Sequence, residues 1–175
     1  MAIRNILKSE DPSLMKKSRE IVEFDKRLHI LLDDMKETLL AANGLGIAAP
    51  QVGVLRRAVL VIDIVEDPED PENVEEHVIE LVNPEIIDDS DEQSGREGCL
   101  SVPGVYGIVT RPRNVKVRAH DRFGKSFEIK CSELTARAVC HEVDHLNGVV
   151  FTSIAERILT PEELEEFRAE REEES

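Results

Sequence analysis

The stretch Cys140-His141-Glu142-Val143-Asp144-His145 sets an HExxH signature in a chain of 175 residues. On a helix, residues four apart stand above one another on one face, so His141 and His145 present two imidazoles to a single metal ion. Glu142 follows His141 by about 100° of helical turn and overhangs the open metal position without filling it. That arrangement suits a metal-activated water with a carboxylate to move its proton. The flanking residues predict the helix itself, from Glu133 to Leu146, with Ser132 as N-cap and Asn147-Gly148 as the stop. Leu134, Ala138, His141 and His145 share one stripe of it, so both histidines point where the core residues point. A buried imidazole needs a partner, which favours a ligand role over a structural pair.

Upstream of this helix the sequence reads as strands. Asn114 to His120 alternates Val115, Val117 and Ala119 against Lys116 and Arg118, and Asp121-Arg122-Phe123-Gly124-Lys125 turns it into a second strand, Phe127 to Cys131. Leu55 to Ile64 is a buried strand and His77 to Ile87 another, broken by Asn83-Pro84. The acidic, proline-containing piece between them, Glu66 to Glu76, reads as a loop. A long helix is predicted from Asp25 to Ala42, with Leu28, Leu31, Leu32, Met35 and Leu39 at core spacing and Asn43-Gly44 as its stop. After it, Gly44 to Gly53 is small and flexible. Thr160-Pro161-Glu162-Glu163 opens a last helix with a capping box. Hairpin-type strands without βαβ alternation predict an α+β fold: a largely antiparallel sheet around a buried HExxH helix, in one domain over residues 1–175.

Composition narrows the function classes. The chain is 41% hydrophobic and 34% charged, a globular balance, and nothing approaches the about 20 apolar residues of a membrane span. Met1 to Lys8 lacks the apolar run of a signal peptide, so a cytoplasmic, non-membrane protein is expected. Cys99, Cys131 and Cys140 are odd in number and unevenly spaced, a poor disulfide framework that leaves thiols free to bind metal. A net charge of −15 argues against binding free nucleic acid. Residues 161–175 hold eight glutamates against Arg168 and Arg171 and read as a solvated acidic helix. His29, His77 and His120 have no motif around them and are expected in surface or loop roles.

Two histidines do not hold a metal, and the third ligand separates the candidate enzymes. A thermolysin-like enzyme takes a downstream glutamate, but Glu162 and Glu163 sit in the capping box of an exposed helix. A metzincin needs a third histidine after HExxHxxG, and here the chain reads His145-Leu146-Asn147-Gly148-Val149-Val150-Phe151. A cysteine remains. Cys99 lies in an extended loop or bulge between Gly98 and Pro103-Gly104, where the backbone can aim a thiolate. Cys131 and Cys140 read better as small buried hydrophobes.

Three segments together carry a resemblance: Gly44-Leu45-Gly46-Ile47-Ala48-Ala49-Pro50-Gln51, Glu97-Gly98-Cys99-Leu100-Ser101 and His141-Glu142-Val143-Asp144-His145. In content and order they resemble the signature motifs of peptide deformylase, in its bacterial EGCLS form, and the likeness runs from Ile3 through the last helix. The resemblance implies a metallo-amidase that removes the formyl group from N-formyl-methionyl ends of new polypeptides and releases formate. It implies metal ligation by Cys99, His141 and His145, with Fe²⁺ the native ion and Zn²⁺, Ni²⁺ or Co²⁺ compatible with the donors. It further implies that Glu142 moves protons while Gln51 and the Leu100 N–H stabilise the oxyanion. Gly44 and Gly46 would let the substrate backbone approach, and Ile47, Leu134 and Ala138 would line the methionine pocket.

Two positions depart from the family's pattern. Cys140 stands where members commonly have glutamine, and is expected to be inert packing. The acidic last helix contrasts with the basic ribosome-docking helix of some bacterial members, so any ribosome contact is expected to lie elsewhere. Two competing functions stay open at this point: a small metalloprotease cleaving internal bonds, and a non-enzymatic metal- or peptide-binding protein. Glu142 and Gln51 argue against the last, because neither is needed to hold the metal.

Overall fold

Helix α1 (Lys26–Ala42) starts where the Asp25 carboxylate accepts the Leu28 N–H at 3.1 Å. It stops at Asn43, whose left-handed backbone, φ 53°, lets its N–H cap the Leu39 and Leu40 carbonyls. Its five predicted core residues are all buried. The structure, a computed structural model, describes residues 1–174.

Strands β1 (Gly46–Ala48), β2 (Ala58–Asp67), β3 (Asp70–Cys99), β4 (Val102–His120) and β5 (Ser126–Ser132) pair in that order, every pair antiparallel. Helix α2 (Glu133–Leu146) follows, then a short strand β6 (Arg157–Ile158) paired to β4, then α3 (Pro161–Glu174). The architecture is the α+β arrangement that the strand pattern predicts. Strand β2 shows how the sheet holds two cores. Val59 and Val61 face the cluster around α2, whereas Ala58, Leu60 and Ile62 face the cluster around α1. Burial on both faces explains why this run is continuously apolar. Each such large side chain contributes about 1.5–3 kcal/mol through burial.

Several local expectations need correction. The acidic Glu66–Glu76 piece is not a loop. β2 continues to Asp67 and β3 begins at Asp70, with Val65 opposite Glu75 and Glu66 opposite Val74. The carboxylates of Asp67 and Asp70 accept the N–H groups of Glu69 and Glu72, which holds the tip. Pro71 falls where the register shifts after Glu66, so no ladder bond is lost there. Asn83-Pro84 does not end a strand either. Asn83, at φ 50°, makes a bulge within β3 and exchanges two side-chain hydrogen bonds with the Ile21 backbone, both 2.8 Å.

The segment after α1 is largely regular structure. Ile47 to Gln51 is buried, and a 3₁₀ turn over Ala49–Val52 follows β1 directly. The expected Ser132 cap is missing, since its side chain makes no capping bond. The chain enters α2 through Glu133 at φ 53° instead. Glu133 is held there by an Arg113 ion pair at 3.0 Å and by the Gln93 amide, which donates to its carbonyl at 2.8 Å. The Thr160–Glu163 capping box of α3 forms as predicted, through two reciprocal bonds of 3.2 Å.

Candidate metal centre and active site

Helix α2 packs against the sheet, and its inner face carries His141, Glu142 and His145, all buried. Strand β3 ends opposite them. A register shift between Gly98 and Cys99 turns the Cys99 thiol inward, 3.3 Å from His145 Nε2. One ligand atom from each of Cys99, His141 and His145 lies within 4.8 Å of the others. His141 is fixed from behind, with its Nδ1 2.8 Å from Glu97 Oε2. That bond puts the proton on Nδ1 and leaves the Nε2 lone pair free.

Glu97 is the hub of a buried charge network that sequence reasoning missed. Arg111 grips its carboxylate with two bonds, of 3.1 and 2.6 Å, and Arg137 adds a third of 3.1 Å. Arg111 also reaches Asp144, inside the HExxH motif, at 2.6 Å. Burial alone would raise the Glu97 carboxyl, but hydrogen bonds from His141 and Arg111, and their charges, hold it down at about 2. Arg111 is pushed above its usual range by Glu97 and Asp144, against the effect of burial. The signal for Arg111 was present in the strand alternation. It shares parity with Val109, which is buried, so its side chain must point inward.

Gln51 enters from the 3₁₀ turn after β1. Its Oε1 accepts the Ala48 N–H at 2.9 Å, so its Nε2 points at Ser101 Oγ, 3.1 Å away, and at Cys99 Sγ, 3.6 Å away. The Ser101 N–H also donates to Cys99 Sγ, at 3.4 Å. Leu100 stands on the turn between β3 and β4, and its side chain packs beside Gly44. Gly46 faces Glu142 so closely that a Cβ there would lie 2.8 Å from Oε1, a space only glycine leaves open.

The expected methionine pocket is less uniform than the motif suggests. Ala138 is buried at the edge of the α2 core, while Leu134 is 46% exposed. Ile47 is misassigned. β1 alternates, so Gly46 meets Glu142 and Ala48 joins the α2 cluster, while Ile47 turns the other way into the α1 cluster.

The cage pushes its two histidines in opposite directions. Burial works against a charged imidazole at His141, but hydrogen bonds to Cys99 and Glu97 and the charge of Glu142 override it and raise the group. His145, buried and facing His141, is lowered. Burial pushes Glu142 up to about 7, where a carboxyl both takes and releases a proton near neutrality. Glu142 Oε2 and His145 Nδ1 are buried without a hydrogen-bond partner among the described residues. One thiol and two imidazoles converging on such a cage fit a borderline divalent metal. Cys131 and Cys140 belong instead to the α2 core, and burial raises both thiols to about 11.

The sequence profile of the polypeptide deformylase family matches residues 3–159. The chain belongs to the peptide deformylase family. These metalloenzymes remove the N-formyl group from newly made polypeptides. A peptide deformylase of Alkaliphilus metalliredigens is 55% identical over 152 residues, covering 87% of this chain and 96% of that protein. A crystal structure of a peptide deformylase from Legionella pneumophila superposes with a TM-score of 0.79 at 40% identity, covering 97% and 98% of the two chains. A class I type b peptide deformylase from Acinetobacter baumannii, solved with Met-Ala-Ser bound, superposes at 0.77 with 36% identity, over 86% of this chain and 97% of that one. No helix among the described residues is long and apolar enough to cross a membrane.

Proposed function

We propose that Cys99, His141 and His145 hold the metal of this deformylase and that Glu142 moves protons during removal of the formyl group from formyl-methionyl peptides. The observation that carries the reading is the convergence of those three ligand atoms beside the buried, unpartnered Glu142 Oε2. The thiolate and imidazole set accepts Fe²⁺, Zn²⁺, Ni²⁺ or Co²⁺, and the family resemblance makes Fe²⁺ the native ion proposed here. When bound, the ion supplies Lewis-acid chemistry: it polarises the formyl carbonyl and makes water acidic enough to attack.

The side chains do the rest. Glu142 takes a proton from the attacking water and gives it to the leaving amine. Gln51 Nε2, fixed by the Ala48 N–H on its other end, donates to the developing oxyanion together with the Leu100 N–H. Glu97 keeps His141 in the tautomer that offers Nε2. Gly46 makes room for the Glu142 side chain, and a substrate backbone lies strand-like along Gly44–Gly46 at the sheet edge that β1 forms. Ala138 and Leu134 are the pocket candidates that remain for the methionine side chain. The complex of the Acinetobacter baumannii relative with Met-Ala-Ser supports a methionyl peptide as the product released here.

The protein works in the cytoplasm on nascent chains. Any contact with the ribosome avoids α3, whose eight glutamates backbone phosphates would repel. The test is formate release from formyl-Met-Ala-Ser under anaerobic, iron-replete conditions, with casein cleavage measured alongside. Formate without casein cleavage is expected. Folded, metal-loaded protein that releases no formate would overturn the reading.

A further inference from the structure

Helix α3 buries no side chain, and its composition is that of a solvated surface. Yet it grips one place. Phe167 sets its ring edge against Tyr106, with centroids 5.0 Å apart and planes at 72°. The Arg96 guanidinium lies over that ring, 4.1 Å from its centre, and pairs with Glu170 at 2.9 Å. Arg171 donates to the Tyr106 hydroxyl at 3.4 Å. Arg96 is on β3 and Tyr106 on β4, so these contacts span both legs of the hairpin whose turn carries Cys99 and Leu100.

Tyr106 connects this grip to the site. It is the register partner of Gly98, and a Cβ on Gly98 would lie 2.5 Å from Tyr106 Cε1. The ring therefore rests directly on the backbone between Glu97, which holds His141, and Cys99. The bulge that turns Cys99 inward lies at this same step, between Gly98 and Cys99. On its other side, the Tyr106 carbonyl accepts the Leu159 N–H at 2.8 Å, just before α3 begins. The family profile match ends at residue 159, before the clasp made by Phe167, Glu170 and Arg171.

We propose that Phe167 and Tyr106 are positioning residues, with α3 clasping the β3–β4 hairpin and pressing Tyr106 onto Gly98 so that Cys99 stays aimed at the metal. The proposal rests on the reading of Cys99 as a ligand. A weak surface contact matters here because a thiolate ligand must be held within a fraction of an ångström. The effect is expected in the persistence of metal binding rather than in folding, since Phe167 is only partly covered.

The experiment uses full-length protein loaded with Ni²⁺, which does not oxidise in air. Metal loss to a chromogenic chelator is timed, and alkylation of Cys99 by iodoacetamide is followed by peptide mass. In the unaltered protein Cys99 should be protected until metal leaves; unprotected Cys99 in loaded protein would overturn the ligand reading itself. Given that protection, Phe167→Ala should lose metal about three- to tenfold faster, a part of the roughly five- to seventyfold that one edge-on aromatic pair and one cation–π contact would give if all of it were felt at the metal. Cys99 alkylation should accelerate in step, with the thermal midpoint nearly unchanged. Phe167→Tyr, which keeps the ring, should restore the slow rate. Metal loss accelerated less than about threefold, or not restored by tyrosine, would overturn the clasp while leaving the ligand reading intact.

Discussion

Glu142→Ala should lower kcat/KM for formyl-Met-Ala-Ser by about 10²–10⁴-fold, the usual contribution of a positioned general acid–base. The same substitution should leave metal content unchanged, because Cys99, His141 and His145 all remain. It should also spare the fold. Glu142 is 3% exposed, burial raises its carboxyl, and Oε2 has no partner, so its charge is a cost to folding. Thermal unfolding of the variant is therefore expected at the same temperature or above. Formate assays, metal analysis and a melting curve on one preparation check all three parts together. Activity retained within about tenfold of the wild type would remove Glu142 from the proton-transfer role.

Arg111→Ala should have the largest effect on stability. It leaves Glu97 and Asp144 without the guanidinium that binds both, and Glu97 is buried. Removing one partner from a buried ion pair costs about 3–5 kcal/mol, which lowers the melting temperature of a chain this size by about 6–20 °C. The loss should depend on pH in one direction. Because Glu97 is held down at about 2 from an ordinary 4.5, its charged network contributes fully above pH 4.5 and fades as pH falls toward 2. The gap between wild type and variant should narrow across that window. Metal affinity should fall as well, by about 10–100-fold, since Glu97 would hold His141 less firmly. Melting curves from pH 7 down to pH 3 test this; a gap that widens on acidification would contradict it.

These two residues also mark what is legible in the chain. His141, Glu142 and His145 are readable because helical geometry relates residues four apart before any tertiary structure is known. Cys99 is not readable in that way. Its approach depends on how the β3–β4 hairpin folds back and on one bulge after Gly98, so the sequence reaches it only by elimination among the cysteines and by the resemblance of three motifs. Glu97, Arg111 and Arg137 are passed over because a charged side chain ordinarily signals solvent, although Arg111 sits in phase with Val109 and Arg137 is four residues before His141.

Ile47 fails for the opposite reason. A motif of small residues draws attention as a block, whereas a strand sends alternate residues to opposite faces. The Glu66–Glu76 hairpin shows that acidic composition reports exposure and not the absence of a ladder, since backbone pairing does not require apolar side chains. In α3 the same composition hides a docking contact made by a single aromatic residue, Phe167.

X-ray absorption at the metal edge, on full-length protein loaded anaerobically with Fe²⁺ or Zn²⁺, tests the central claim most directly. One sulfur scatterer is expected, at about 2.3 Å for zinc, with two imidazoles and a light fourth ligand. The sulfur should vanish in Cys99→Ser and persist in Glu142→Ala. A first shell of nitrogen and oxygen alone in the unaltered protein would contradict the assignment of Cys99 to the metal.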